Sequence, residues 1–290
     1  MEHEDKISDV EHLMDDIIQK HPHSQEIVNA FRPVILERCR LAETIKIKNT
    51  DSLKIDRKKL RKGVPVIRQA TLFHQDDPWE EIAVSLIPAL KRGFPALYND
   101  LEKMEAVIKN GNMRPYDYFE SYPDNGENIV NGWVLKFNIG APSITLLLKS
   151  TARIILEKRS QFIRLEANDW DKGYCPVCGA FPSIAIIKEK IAERWLHCSQ
   201  CGYEFKFSRV ICPYCEHRAE REMPFFFVDD REKECAFACD ECKRYLITLT
   251  RVTDLLIRDL DVSAIGLTYL DIIMQGKGFL PMADCEWNVF

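Results

Sequence analysis

Apolar residues recur at helical spacing through most of the first 170 positions of the chain. The segments 10–18 and 24–39 each place apolar side chains three or four positions apart, as the buried face of an amphipathic helix does. A longer segment with the same spacing runs from Pro142 to about Ala167. These patterns predict an all-α domain over residues 1–170.

The strongest helix start within that domain lies at Asp77. A carboxylate followed by Pro78 is the combination expected at the N-cap and first helical position, so we predict that Asp77 caps this helix. Apolar residues then follow on one face to Ile108, with a break near Gly93 to Pro95.

The period changes after residues 168–173, which we take as a domain boundary. Apolar and polar residues alternate at 203–207, as expected for a half-exposed strand. The run Phe225 to Val228 does not alternate, so it either buries both faces or offers an apolar surface. Helical spacing returns in the tail at 254–275. The predicted class is α+β, with two small β modules at 171–208 and 209–250 between the helical domain and a C-terminal helical tail at 251–290.

Cysteine placement changes this picture most, because eight of the eleven cysteines form four Cys-x-x-Cys pairs within the β region. A two-residue gap lets both sulfurs of a pair face one point, and we call such a Cys-x-x-Cys turn a knuckle. Two knuckles can supply a tetrahedral S4 metal site. The eight predicted ligands are Cys175, Cys178, Cys198, Cys201, Cys212, Cys215, Cys239 and Cys242. The sequence therefore predicts two metal ions, each held by four cysteines in a zinc-ribbon module.

The spacing favours pairing of neighbouring knuckles, although it also permits an interleaved pairing. Gly179 and Gly202 directly follow the second cysteine of their knuckles, where a residue able to adopt a positive φ is useful. Glu216 and Lys243 occupy the same place in the second module, so we expect its turns to be less regular.

The sequence favours metal binding over two other uses of the thiols. Disulfides need an oxidising compartment, whereas the acidic start of the chain shows no signal peptide and the cysteine total is odd. A catalytic dithiol would need only one Cys-x-x-Cys. Of the remaining cysteines, Cys39 is expected to be a buried structural thiol. Cys235 is expected to serve packing, with a spare thiol or a redox site as the alternatives, and Cys285 carries no signal. No segment is apolar enough for membrane insertion, and a cytoplasmic protein is expected.

Charge argues against nucleic acid as the main partner. The chain has a net charge of −5, and residues 171–250 carry 12 basic against 13 acidic residues. Six basic residues cluster at 54–62, which predicts a solvated face or a docking patch for an acidic surface. His21, His23 and His74 lack a paired acid or nucleophile at telling spacing, so we expect surface or capping roles for them and no enzyme active site. His197 and His217 flank knuckles without being needed as ligands.

The order of these motifs resembles the formate dehydrogenase accessory protein FdhE family. The resemblance rests on Cys175-Pro-Val-Cys178-Gly, Trp195-Leu-His-Cys-Ser-Gln-Cys-Gly, Cys212-Pro-Tyr-Cys-Glu and Cys239-Asp-Glu-Cys-Lys-Arg-Tyr-Leu. It covers about residues 173–250, and the helical tail also fits. The first 170 residues agree only in being helical.

The resemblance implies a cytoplasmic maturation factor, and not an enzyme, with two rubredoxin-like modules that bind iron or zinc. Such a factor interacts with the catalytic subunit of a respiratory formate dehydrogenase before its export. The eight knuckle cysteines would be the metal ligands. Two alternatives stay open, a rubredoxin-like electron carrier or dithiol reductase and a nucleic-acid-binding ribbon protein.

Overall fold

The computed structural model describes residues 2–48, 53–121, 126–166, 168–188, 193–218, 223–252 and 259–288. Its α-helices are α1 (Glu2–Lys20), α2 (Gln25–Thr44), α3 (Arg57–Leu60), α4 (Trp79–Gly93), α5 (Tyr98–Lys109), α6 (Pro115–Glu120), α7 (Gly126–Phe137), α8 (Ala141–Ser160), α9 (Leu260–Gly266) and α10 (Thr268–Gly276). Its strands are β1 (Pro182–Lys188), β2 (Arg194–Cys198), β3 (Glu204–Phe207), β4 (Phe225–Phe227), β5 (Glu234–Ala238), β6 (Arg244–Val252) and β7 (Leu280–Pro281). The chain divides into two compact units.

The first unit is helical and comprises Met1–Ser8, Asn29–Leu53 and Thr71–Phe162. Its centre is α8, whose buried residues extend around most of the helix, from Ser143 to Ser160. Arg159 of α8 is fully buried and makes a bidentate ion pair with Asp77, with nitrogen–oxygen distances of 2.7 and 2.6 Å. The Arg159 guanidinium also donates to the backbone carbonyls of Leu72 and Lys48.

This ion pair explains why the predicted N-cap at Asp77 is wrong. Helix α4 begins at Trp79, and its N-cap residue is Pro78. The Asp77 carboxylate accepts hydrogen bonds from Arg159 and from the backbone N–H of His74. A buried cation engages a carboxylate more strongly than helix amides do, so the tertiary partner prevails over the local signal.

The second unit comprises Asp9–Val28, Lys54–Ala70 and Ile163–Phe290 and contains one seven-stranded sheet. The strand order is β3-β2-β1-β6-β5-β4, and β7 pairs with β6. Neighbouring strands are antiparallel except for β1 with β6 and β6 with β7, which are parallel. The strands of both cysteine modules are thus joined through the β1–β6 pair.

The two halves of the sheet repeat the same order along the chain. Each half consists of a knuckle, two antiparallel strands, a second knuckle and a third strand, so β1, β2 and β3 correspond to β4, β5 and β6. In the sheet, the first strand of one half pairs with the third strand of the other. The halves are therefore related head to tail.

The α+β class predicted from the sequence is confirmed. A helical N-terminal region precedes the sheet with its two cysteine clusters, and helices α9 and α10 follow it. The predicted tail helix begins within residues 253–258, which lie outside the described part of the chain. Among the described residues, none of the helices combines the length and apolar character needed to span a membrane.

Candidate metal centres

All four knuckles adopt the same backbone geometry. In each, the N–H of the residue after the second cysteine donates to the carbonyl of the first cysteine, at 2.9 to 3.1 Å. That residue has a positive φ at all four places, 81° at Gly179, 69° at Gly202, 58° at Glu216 and 54° at Lys243. The expectation of less regular turns in the second module is therefore wrong. Closing the knuckle requires this conformation, even where the residue is not glycine.

The first cluster consists of Cys175, Cys178, Cys198 and Cys201, and all four side chains are buried. The sulfur of Cys175 lies 3.5 Å from that of Cys201, and the sulfur of Cys178 lies 3.4 Å from that of Cys198. Backbone N–H groups of Val177 and Cys201 donate to the sulfurs of Cys175 and Cys198, each at 3.4 Å. Such bonds favour the thiolate form.

The second cluster consists of Cys212, Cys215, Cys239 and Cys242. Its two closest cross-knuckle sulfur pairs, Cys212 with Cys242 and Cys215 with Cys239, are each 3.7 Å apart. Cys212 and Cys239 are buried, but Cys215 is exposed and Cys242 is partly exposed. The two clusters therefore share a geometry and differ in access to solvent.

These distances suit a tetrahedral metal site. A metal–sulfur bond of about 2.3 Å gives a sulfur–sulfur edge of about 3.8 Å in a tetrahedron, whereas a disulfide bond is about 2.05 Å long. All sulfurs within each cluster lie within 4.8 Å of one another. Burial raises the pKa of the Cys175 and Cys201 thiols well above the usual value. The pKa of Cys198 is lowered, because hydrogen bonds with the other three cysteines outweigh its burial. A bound cation would favour the thiolate form at all four positions. Each cluster could hold one metal ion, in the neighbour pairing rather than the interleaved one.

The histidines next to the knuckles are not part of either cluster. His197 is buried, and its Nε2 lies 2.8 Å from the Asp261 carboxylate, while its Nδ1 has no hydrogen-bond partner. His217 is exposed, and its backbone carbonyl accepts a hydrogen bond from the N–H of Cys212. Both positions support the fold around a knuckle without providing a ligand.

Cysteines outside the clusters are buried. Cys235 lies in β5, and its thiol is 3.5 Å from the carbonyl of Thr248. Burial raises the pKa of the Cys235 thiol to about 12, which makes it a poor nucleophile. Cys39 and Cys285 are also buried. Their positions agree with packing roles.

The structure corrects the expectation for His21. This side chain is only 2% exposed, and its Nε2 lies 3.3 Å from a carboxylate oxygen of Glu234. Tyr269 stacks on the His21 ring and donates a hydrogen bond to Glu234. The sequence places this carboxylate 213 positions away, so no local pattern could have revealed the pair.

Sequence reasoning also missed how residues 54–70 support the first cluster. The backbone N–H groups of Val66 and Ile67 donate to the carbonyls of Pro176 and Val177, which lie between the first two cysteines. Tyr174 donates from its hydroxyl to the carbonyl of Gly63. The segment thus forms part of the wall around the first knuckle.

The same segment contains the basic residues at 54–62. Arg57 and Arg61 form ion pairs with Asp169, whose side chain is fully buried. The backbone N–H of Glu166 and these two guanidinium groups lower the pKa of the Asp169 carboxyl. Two of the six basic residues are therefore part of the fold around the boundary segment, while Lys58 and Lys59 are exposed.

Comparison with known proteins finds similar chains for this arrangement. The family model "FdhE, central domain" matches residues 174–209, which contain the first thiol cluster and β1 to β3. A curated FdhE homologue from Aquifex aeolicus is 23% identical over 277 residues, covering 91% of this chain and 89% of the homologue. Over nearly its whole length the chain is similar to this FdhE homologue.

Other FdhE proteins extend the comparison. FdhE from Escherichia coli K12 is 31% identical over 109 residues, which cover 37% of this chain and 34% of that protein. The crystal structure of the FdhE protein from Pseudomonas aeruginosa matches with a TM-score of 0.64 and 16% identity, over 98% of this chain and 96% of that one. The fold of FdhE is therefore shared over nearly the whole chain, whereas the family model matches only the part with the first cluster.

Proposed function

We propose that this chain, like the FdhE proteins to which it is similar, is a cytoplasmic accessory factor that binds the catalytic subunit of a respiratory formate dehydrogenase and assists its assembly before export. The observation that carries the proposal is the family match at the first thiol cluster. Its role is binding and not turnover. The near-neutral β region supports a protein partner rather than nucleic acid.

The eight knuckle cysteines would hold two ions of iron or zinc, because thiolate tetrahedra accept both metals. The first ion would lie inside the sheet region, where amides of its own knuckles donate to the thiols and Val66 and Ile67 hold the backbone of the first knuckle. A small sheet gains much of its folding free energy from such an ion. The first site would therefore stabilise the sheet.

The exposure of the second cluster favours one further candidate, a rubredoxin-like electron carrier. Cys215 is exposed to solvent and Cys242 partly so, and an ion held there would therefore be accessible to a redox partner. Iron can change oxidation state in such a site, whereas zinc cannot. This candidate requires iron in the second cluster.

Two measurements test these proposals. Affinity purification of the tagged chain from formate-grown cells should enrich a formate dehydrogenase catalytic subunit, and a repeated absence of that subunit would count against the accessory role. Metal analysis of protein purified without air should give two ions per chain. If zinc occupies both clusters, or if the iron-loaded protein shows no reversible change in visible absorption, the electron-carrier candidate fails.

A further inference from the structure

Strand β4 lies at an edge of the sheet and presents an apolar face. Among the strands that the structure describes, it pairs only with β5. Phe225 and Phe227 are 47% and 43% exposed, and their rings stack at 5.9 Å. Phe226 points to the opposite side, where its ring lies 6.0 Å from that of Phe279. Of the two expectations for this run, the apolar surface is the correct one.

The head-to-tail repeat shows what this edge lacks. Aligning Cys198 with Cys239 brings Phe225 and Phe227 into correspondence with Ala185 and Ile187 of β1. Those β1 residues are 0% and 7% exposed. One edge of β1 is filled by the parallel strand β6. The corresponding edge of β4 has no such strand among the described residues.

Backbone groups on that edge are oriented to accept a strand. The N–H of Ala238 donates to the carbonyl of Pro224, which marks a hydrogen-bonded pair of the antiparallel ladder. Because such pairs alternate, Phe226 directs its peptide groups toward β5, and Phe225 and Phe227 direct theirs outward. An added strand would find two N–H and two C=O groups in position.

A groove beside the edge extends the apolar surface. It has a volume of about 440 Å³, with Phe225, Phe227 and Phe237 among the residues that line it. Three cations, Lys188, Arg209 and Arg251, and one carboxylate, Glu232, also line it. An apolar surface with an excess of positive charge is complementary to an apolar segment that carries acidic side chains.

We propose that the outer edge of β4 binds an extended, partly acidic apolar segment of the partner protein as an added strand parallel to β4. Alternate side chains of that segment would cover Phe225 and Phe227, and its carboxylates would face Arg251 and its neighbours. The inference rests on the proposed function, because it names the surface through which the catalytic subunit is recognised.

Binding of the purified full chain to a formate dehydrogenase catalytic subunit tests the inference. The double variant Phe225→Asp/Phe227→Asp should weaken binding at least about tenfold, the loss typical when central interface aromatics are removed. The variant Arg251→Glu should also weaken binding. The matched control Ile272→Asp places a charge on another exposed apolar residue of the same unit and should bind as the unchanged chain does.

Hydrogen exchange adds a readout of the backbone. Amide protons of Phe225 and Phe227 should gain protection in the complex, which side-chain contact alone would not produce. If the unchanged chain binds and the double variant binds equally well, the surface is wrong while the proposed function stands. If the unchanged chain does not bind the subunit, the proposed function fails, and this inference fails with it.

Analytical sedimentation tests whether a second copy of this chain, rather than the catalytic subunit, covers β4. If the unchanged chain is a dimer and the double variant is a monomer, a second copy covers β4, and the inference is overturned. A monomeric chain whose Phe225 and Phe227 amides become protected only with the subunit present would support it.

Discussion

Asp271 offers a quantitative test of the packing around the sheet. This residue of α10 is 2% exposed, and its carboxylate accepts a hydrogen bond from the hydroxyl of Tyr245 in β6 at 2.6 Å. Burial raises the pKa of Asp271 to about 7, although the Tyr245 hydrogen bond acts in the opposite direction. The folded protein therefore holds a proton on this carboxyl at pH values where the unfolded chain has lost it.

The sign of the effect follows from proton linkage. The contribution of Asp271 to the free energy of unfolding is greatest below the unfolded pKa near 3.9. It falls as the pH rises towards the folded pKa and does not change further above it. Over the roughly 1.5 pH units from pH 5.5 to the folded pKa, at about 1.4 kcal/mol per unit, the loss is about 2 kcal/mol. Asp271→Asn removes this titration.

Denaturant unfolding of metal-loaded protein at pH 5.5 and pH 8 measures the effect. From pH 5.5 to pH 8, the free energy of unfolding of Asp271→Asn should rise by about 2 kcal/mol relative to that of the unchanged chain. Comparing the proteins at each pH cancels the pH dependence of metal binding, which both share. Asp229→Asn, at an exposed aspartate, should show no such gain. A difference between Asp271→Asn and the unchanged chain that does not vary with pH would refute the reasoning.

Three further predictions follow from the described contacts. Lys243→Gly should raise the free energy of unfolding by about 0.5–1 kcal/mol, because glycine adopts the positive φ without strain; Lys243→Ala should not, and equal thermal stability of both variants would contradict this. Arg159→Met should cost about 3–5 kcal/mol by leaving the buried Asp77 carboxylate unpaired; a double-mutant cycle with Asp77→Asn should show strong coupling, and additive losses would argue against the ion pair. A chelator should remove metal from the second cluster first, so Cys215→Ser should abolish the fast phase of release and Cys178→Ser the slow one; a single phase in the unchanged chain would oppose this order.

Local patterns were sufficient for the long helices α1, α2, α4, α5 and α8 and for the thiol clusters, but not for α7. A helix buries a stripe at a fixed period, and a Cys-x-x-Cys pair brings its sulfurs together through the backbone of four residues, so both can be read within a short window. The window was too short for Asp77, whose carboxylate pairs with Arg159, 82 positions away. It was also too short for the contact of Val66 and Ile67 with the first knuckle.

The turns of the second module show a different limit. Side-chain preference suggested irregular turns at Glu216 and Lys243, yet both residues have the positive φ found at the two glycines. A non-glycine residue pays about 1–2 kcal/mol for this conformation. The hydrogen bond that closes each knuckle, together with the meeting of four thiols, outweighs that cost. The preference of a residue for a given φ does not show whether this cost or the contacts that close the knuckle are larger.

The two edges of the sheet differ in a way that bears on self-association. A head-to-tail repeat can in principle continue without end, because the free first strand of one copy matches the free third strand of the next. The strand that would add to β4 is β3 of another copy, and β3 carries exposed Glu204 and Lys206. Charged residues on an edge strand oppose such pairing, whereas Phe225 and Phe227 on β4 do not. Pairing of β3 of one copy with β4 of another is thus disfavoured by the charges on β3. The edge of β4 can still pair with a strand that lacks these charges at the same positions. Recognition of a separate partner requires both properties.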